Sequence, residues 1–213
     1  MSGVSPTFLL LLVAAYFLGS IPFGLLLARL FGGQDVRQAG SGNIGAANVA
    51  RVAGLLPGIL TLLLDAAKGA FAVWLAGHFT SHSATTMMLA GIAALLGHCY
   101  SLWLEFKGGK GVATALGVFG ALCGVAALSA FVVFLLILGV WRYVSLSSIL
   151  AAAAMPVLIY FLWAPHQSPP LTVMFGTLFA SSLVIFKHRA NLRRLIAGTE
   201  PKFPAGKSKG ESA

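Results

Sequence analysis

Charge is what this sequence has least of. Lys, Arg, Asp and Glu together make up 9% of its 213 residues, against about 25% in a typical soluble domain. With 58% of the chain hydrophobic, there is too little polar surface to cover a globular fold, which excludes a soluble protein and points to a chain solvated by lipid. Acidic residues are scarcest of all, five against fourteen Lys and Arg. Clustered carboxylates for a metal-dependent phosphotransferase are therefore missing, and the D-x-x-D-G-x-x-A-R pattern of such enzymes does not occur. Only two cysteines are present, Cys99 and Cys123, without C-x-x-C spacing. They read as small apolar fillers, and no metal site or other cofactor is expected.

What is there is long apolar runs separated by short basic loops. Phe8–Phe31 lacks a basic leader and is too long for a cleavable signal, so it reads as a span. Pro22 should kink it, because proline removes a backbone donor and crowds the preceding turn. Further spans are expected at Leu55–Gly77, Thr85–Leu104, Tyr143–Trp163 and Leu171–Phe186. Between Val112 and Val140 lie 29 uncharged residues, long for one helix and short for two.

Basic residues decide the parity. Arg29, Arg37 and Arg51 fall in or beside the first loop, Lys107 and Lys110 in the third, and Lys187, Arg189, Arg193, Arg194, Lys202, Lys207 and Lys209 at the C-terminal end. The loops at 77–84 and 164–170 carry no Lys or Arg, and nor does the segment before the first span. The positive-inside rule then puts the N-terminus outside and the C-terminus in the cytoplasm. Two short or tilted helices turning near Gly124 give seven spans and satisfy the rule for thirteen of the fourteen Lys and Arg, Lys68 being inside a span. A re-entrant hairpin over 112–140 has the same parity; two spans are preferred. The expected architecture is an all-α, seven-helix membrane bundle over residues 1–198, with a mobile basic tail over 199–213. The net charge of +9 is spread between spans rather than gathered on one face, so nucleic acid is not an expected partner.

Three cytoplasmic segments carry chemistry. Gly40–Arg51 reads GSGNIGAANVAR. Gly42 and Gly45 let backbone N–H groups approach an anion, Ser41 and Asn43 add donors, and Arg51 offers a planar fork suited to phosphate. Phe106–Thr114 reads FKGGKGVAT and opens an apolar helix. Gly108, Gly109 and Gly111 at a helix N-terminus attract anions, and Lys110 supplies a point charge. The run is not a nucleotide-binding G-x-x-x-x-G-K-[ST] loop. In Lys187–Leu195, His188 and Asn191 share a helical face. Asp65 and Lys68 lie one turn apart inside the second span, as a structural or a functional pair. His98 reads as a buried hydrogen-bonding group, and His78, His82 and His166 as bland outer-face residues. Three phosphate-suited loops on one face imply a phosphorylated, water-soluble substrate, and apolar clefts between helices would admit an acyl chain. No His has an Asp five positions on, which excludes the H-x-x-x-x-D arrangement of the common glycerolipid acyltransferases. A transporter of an organic phosphate is the alternative reading of the same loops.

Taken in order, GSGNIGAANVAR, FKGGKGVAT, RYVSL at Arg142–Leu146 and HRANLRRL at His188–Leu195 closely resemble the bacterial acyl-phosphate:glycerol-3-phosphate acyltransferase family. The resemblance implies a seven-helix inner-membrane enzyme with a periplasmic N-terminus. It would transfer an acyl group from long-chain acyl phosphate to the 1-hydroxyl of glycerol 3-phosphate, giving lysophosphatidic acid without an acyl-enzyme. It implies Ser41, Arg51, Lys110 and His188 as catalytic positions. Gly42, Asn43, Gly45, Gly108, Gly109, Gly111 and Asn191 are implied as substrate-binding, with Arg142 and Ser145 as further candidates and Glu200 as structural. The peripheral enzyme that makes acyl phosphate is an implied partner. Ala47 stands where the family commonly has Thr, and Ser101 where Pro is common.

Overall fold

The computed structural model describes residues 5–163 and 168–203, and every regular element in them is helical. His166, Lys207, Lys209 and the tail beyond Phe203 lie outside the described residues. The first apolar stretch forms α1 (Pro6–Ser20) and α2 (Phe23–Gly32), broken at Ile21–Pro22, where the proline predicts a kink. The first loop ends in the short α3 (Ala46–Ala53), and Gly54, at φ 102°, turns the chain into α4 (Leu55–Phe79). Next come α5 (Ala84–Cys99), a single 3-10 turn at Leu102–Leu104, α6 (Val112–Leu122) and α7 (Gly124–Trp141). They are followed by α8 (Val144–Leu162), α9 (Leu171–Lys187) and α10 (Arg189–Ile196).

Five segments are long and apolar enough to cross a bilayer: Pro6–Gly32, Leu55–Phe79, Ala84–Leu104, Gly124–Trp141 and Val144–Leu162. The α9–α10 pair, bent by 56°, makes a sixth. A seventh crossing would fall to α6. Its 11 residues reach about 16 Å at 1.5 Å per residue, short of a hydrocarbon core of about 30 Å. The chain breaks between α6 and α7 at Cys123, beside the turn expected near Gly124.

Large apolar side chains such as Leu10, Leu63, Trp74, Leu136, Phe161 and Phe175 cover the outside, as lipid requires, while small residues fill the interior. A Cβ on Gly117 would overlap the backbone of Ala66, and one on Gly69 the carbonyl of Thr114. This close approach locks α6 against α4, as small residues do between helices in lipid. It also fixes where the α6 N-terminus points.

Candidate active site

A single cavity of about 380 Å³ gathers residues from all three basic loops. Ser41, Asn43, Gly45 and Arg51 line it from the first loop and α3, Lys110 and Gly111 from the second, and His188, Asn191 and Glu200 from the third. Ser145 of α8 joins them. Gly42, Gly108, Gly109 and Arg142 are not part of the lining.

The first loop is organised by Asn48, which the sequence reading passed over. This side chain is only 3% exposed. Its Nδ2 donates to the carbonyls of Val36 at 3.0 Å, Ala39 at 3.1 Å and Asn43 at 2.9 Å, while its Oδ1 accepts the Ser41 amide at 2.8 Å. One amide thus closes the loop on itself and presents Ser41 to the cavity. The Asn43 Oδ1 accepts the Gly45 amide at 2.9 Å, leading the chain into α3 at an N-cap, Gly45, that offers no side-chain cap. Among the described residues the amides of Ala46 and Ala47 have no partner, and both residues line the cavity. Orphan first-turn amides with a helix dipole behind them are an anion site. Arg51, on the same short helix, has no acidic partner among the described residues.

The second loop owes its glycines to packing. A Cβ on Gly108 would overlap the His98 carbonyl, and one on Gly109 the His98 ring. The Gly109 amide already donates to His98 O at 3.0 Å and is not a free donor. Gly111, at φ 85°, caps α6 in the left-handed region that favours glycine. Lys110 is therefore delivered half-buried to the cavity at the foot of α6. Burial lowers its pKa to about 8; Glu200 opposes the shift, and Arg194 and Arg51 add to it.

On the third segment, His188 and Asn191 are both buried. The His188 Nδ1–H donates to Val184 O at 2.8 Å, so Nε2 keeps its lone pair. The Asn191 Nδ2 donates to Glu200 Oε1 at 2.7 Å, and among the described residues its Oδ1 has no partner. Glu200 is a hub: it also accepts from Ser145 Oγ at 2.7 Å and Arg194 Nε at 2.7 Å. Burial disfavours its charge, but these hydrogen bonds hold the carboxyl below the usual range. Arg142 takes a related part at the rim. Its Nε donates to Phe203 O at 3.0 Å and its carbonyl accepts the Phe203 amide at 2.7 Å, pinning the chain that follows Glu200.

Apart from Asp65, His98, Ser148 and Ser181, the rest of the cavity wall is largely apolar. Leu55, Ile59 and Leu62 of α4 face Phe131, Phe134 and Leu138 of α7 across it, with Leu116, Ala127, Ala130, Ala152 and Met155 also in the lining. Leu55, Ile59, Leu62 and Phe131 are exposed on the helix exterior, so this limb opens toward the lipid-facing surface. The arrangement can hold phosphoryl groups beside an apolar chain.

A model of the family described as glycerol-3-phosphate acyltransferase matches residues 9–198. The chain is 50% identical over 199 residues to the glycerol-3-phosphate acyltransferase of Syntrophotalea carbinolica, covering 93% of this chain and 99% of that one. It is 53% identical over 194 residues to that of Trichlorobacter lovleyi, covering 91% and 96%. Two crystal structures of PlsY, an integral membrane glycerol 3-phosphate acyltransferase, are similar. The glycerol 3-phosphate form superposes with a TM-score of 0.86 at 41% identity, covering 92% of this chain and 96% of that one. The lysophosphatidic acid form gives 0.83 at 39% identity, covering 93% and 96%.

Proposed function

This chain belongs to the glycerol-3-phosphate acyltransferase family, and from that premise we propose that it transfers an acyl group from acyl phosphate to the 1-hydroxyl of glycerol 3-phosphate. The hydroxyl oxygen bonds to the acyl carbon, the bond from that carbon to the phosphate oxygen breaks, and lysophosphatidic acid and inorganic phosphate leave. The observation that carries the reading is the two-part cavity, cationic and amide-lined at the loops and apolar where it opens to lipid. That shape suits two anions, one of them bearing a long chain.

The donor is already activated, so catalysis is mainly alignment, which supplies roughly 7–11 kcal/mol. In this reading Lys110, Arg51 and the α3 amides offset the repulsion of the two phosphates and stabilise the leaving group. Ser41, held by Asn48, and the free Oδ1 of Asn191 orient the acceptor. His188, neutral and with a lone pair on Nε2, accepts a hydrogen bond from the acceptor hydroxyl. A substrate phosphate oxygen takes the proton, in keeping with a loop-side cavity whose carboxylate, Glu200, is already engaged by Ser145, Asn191 and Arg194. Asn43, Gly42, Gly45, Gly108, Gly109 and Gly111 shape the loops, and Ser145, Arg142 and Glu200 brace the rim. The basic loops support a cytoplasmic site, a seven-crossing topology with the N-terminus outside, and residence in the bacterial inner membrane. A long-chain acyl phosphate, an amphiphilic anion, would come from a peripheral enzyme at that surface.

The test is purified protein with glycerol 3-phosphate and either palmitoyl phosphate or palmitoyl-CoA. Lysophosphatidate is expected with palmitoyl phosphate and at most trace amounts with palmitoyl-CoA. Equal rates with both donors, or no product with palmitoyl phosphate, would overturn the assignment.

A further inference from the structure

Beside the second loop lie three buried ionisable side chains that the reaction above does not use. Lys68 Nζ sits 2.7 Å from Asp65 Oδ1, 2.9 Å from the Ile21 carbonyl and 3.0 Å from His98 Nδ1. Asp65 and His98 line the cavity. An ammonium cannot accept, so in the Lys68 contact His98 Nδ1 is the acceptor, and the same nitrogen lies 3.6 Å from Asp65 Oδ1, the other half of the ion pair. That contact fixes the orientation of the imidazole. The other side of the ring, Nε2, presses on Gly109 so closely that a Cβ there would overlap it. His98 O meanwhile accepts the Gly109 amide, and a Cβ on Gly108 would overlap the same carbonyl. His98 thus grips the two residues before Lys110 by ring and carbonyl together.

We infer that Asp65, Lys68 and His98 form a positioning network whose output is the placement of Lys110. The inference rests on the proposed reading of Lys110 as a phosphate ligand. It accounts for the charges. Burying an ion pair in a span is costly, and an apolar trio would pack the helices as well, but it would not orient a ring. The Ile21 carbonyl belongs to the α1–α2 break, so the network joins that break, α4 and α5 to the loop. Ser101 Oγ adds a second tie, donating to Ser20 O at 2.6 Å.

His98→Asn retains an acceptor for Lys68 and removes the ring from Gly109. Gly109→Ala alone drives a methyl into the ring and displaces Lys110, and it is expected to lower kcat/KM for glycerol 3-phosphate by about 100-fold, as a small misplacement can. In the double variant the methyl has room, so the double is expected to be more active than Gly109→Ala, and the alkaline limb of kcat/KM in His98→Asn, in which nothing clashes, is the readout that mere packing would not move. Freeing the loop also re-solvates Lys110. The alkaline limb of kcat/KM should then move upward in His98→Asn and in Gly109→Ala. The groups around Lys110, namely Arg51 on α3, His188 before α10, Arg194 on α10 and Glu200 beyond it, are unchanged in these variants. If His98→Asn does not fold, the limb of Gly109→Ala decides. An unmoved limb, or a double variant no better than Gly109→Ala, overturns the inference. Calorimetry of glycerol 3-phosphate binding to the wild type separates the two readings, because absence of binding there overturns the function and not the network.

Discussion

Lys110→Met is expected to lower kcat/KM for glycerol 3-phosphate by about 10³-fold, the upper end of what loss of one preorganised charge-stabilising donor costs an active site. The effect is large because the ammonium is half-buried, has no ion-pair partner among the described residues, and stands at the mouth of α6 opposite Arg51. Loss of one cation leaves the remaining ones to offset two phosphates. The pH dependence follows from the same burial. With its pKa lowered to about 8, Lys110 discharges in the free enzyme as pH rises through that value, so kcat/KM should fall on an alkaline limb there. Lys110→Arg keeps a charge that does not titrate in this range; whatever its rate, its profile should lack that limb. Stability has the opposite sign. Between about pH 8 and the ordinary lysine value of about 10.4 the unfolded chain binds more protons than the folded one, so the empty protein gains stability as pH rises across that window. Below it the cost of the buried charge is fully present, and a bound phosphate offsets it.

Lys68→Met is expected to destabilise the fold by about 3–5 kcal/mol, the usual consequence of removing one partner of a buried pair. It strands the Asp65 carboxylate inside the bundle and leaves the Ile21 carbonyl at the α1–α2 break without its donor. Asp65→Leu combined with Lys68→Met removes the stranded charge and should recover most of that loss. It should not recover activity, because nothing then orients His98 toward Gly109. Denaturant unfolding in detergent, run beside the acyltransfer assay, checks both parts. A double variant as unstable as Lys68→Met would mean that the missing backbone donor, and not the unpaired charge, is what matters.

How far the sequence could be read depended on the distance between partners. Composition was enough for an all-α membrane bundle. Pro22 marked the break between α1 and α2, and helical spacing paired Asp65 with Lys68 and His188 with Asn191. Such rules reach one turn along a helix and no further. The contacts that assemble the cavity span 81 positions from Ser20 to Ser101, 61 from Arg142 to Phe203 and 55 from Ser145 to Glu200. No local pattern announces them. Asn48 was missed because a single amide in a donor-rich loop looks like any other polar residue until its four hydrogen bonds are seen. Gly108 and Gly109 suggested a phosphate cradle for a similar reason. In sequence, a glycine that admits a ligand and one that admits a histidine ring are the same residue. The turn between α6 and α7 was legible at Gly124 and falls at Cys123, whose Sγ donates to Leu162 O at 3.1 Å, but how the apolar run divides its length between the two helices was not.

The central claim is that amides and cations from separate loops grip two phosphoryl groups in one cavity. It is tested most directly by a structure with glycerol 3-phosphate and a non-transferable acyl phosphonate both bound. The account predicts both phosphorus atoms inside the cavity, among Lys110, Arg51 and the α3 amides, with the alkyl chain leaving between α4 and α7. A phosphorus atom outside that cavity, or an alkyl chain lying elsewhere on the bundle, would contradict it.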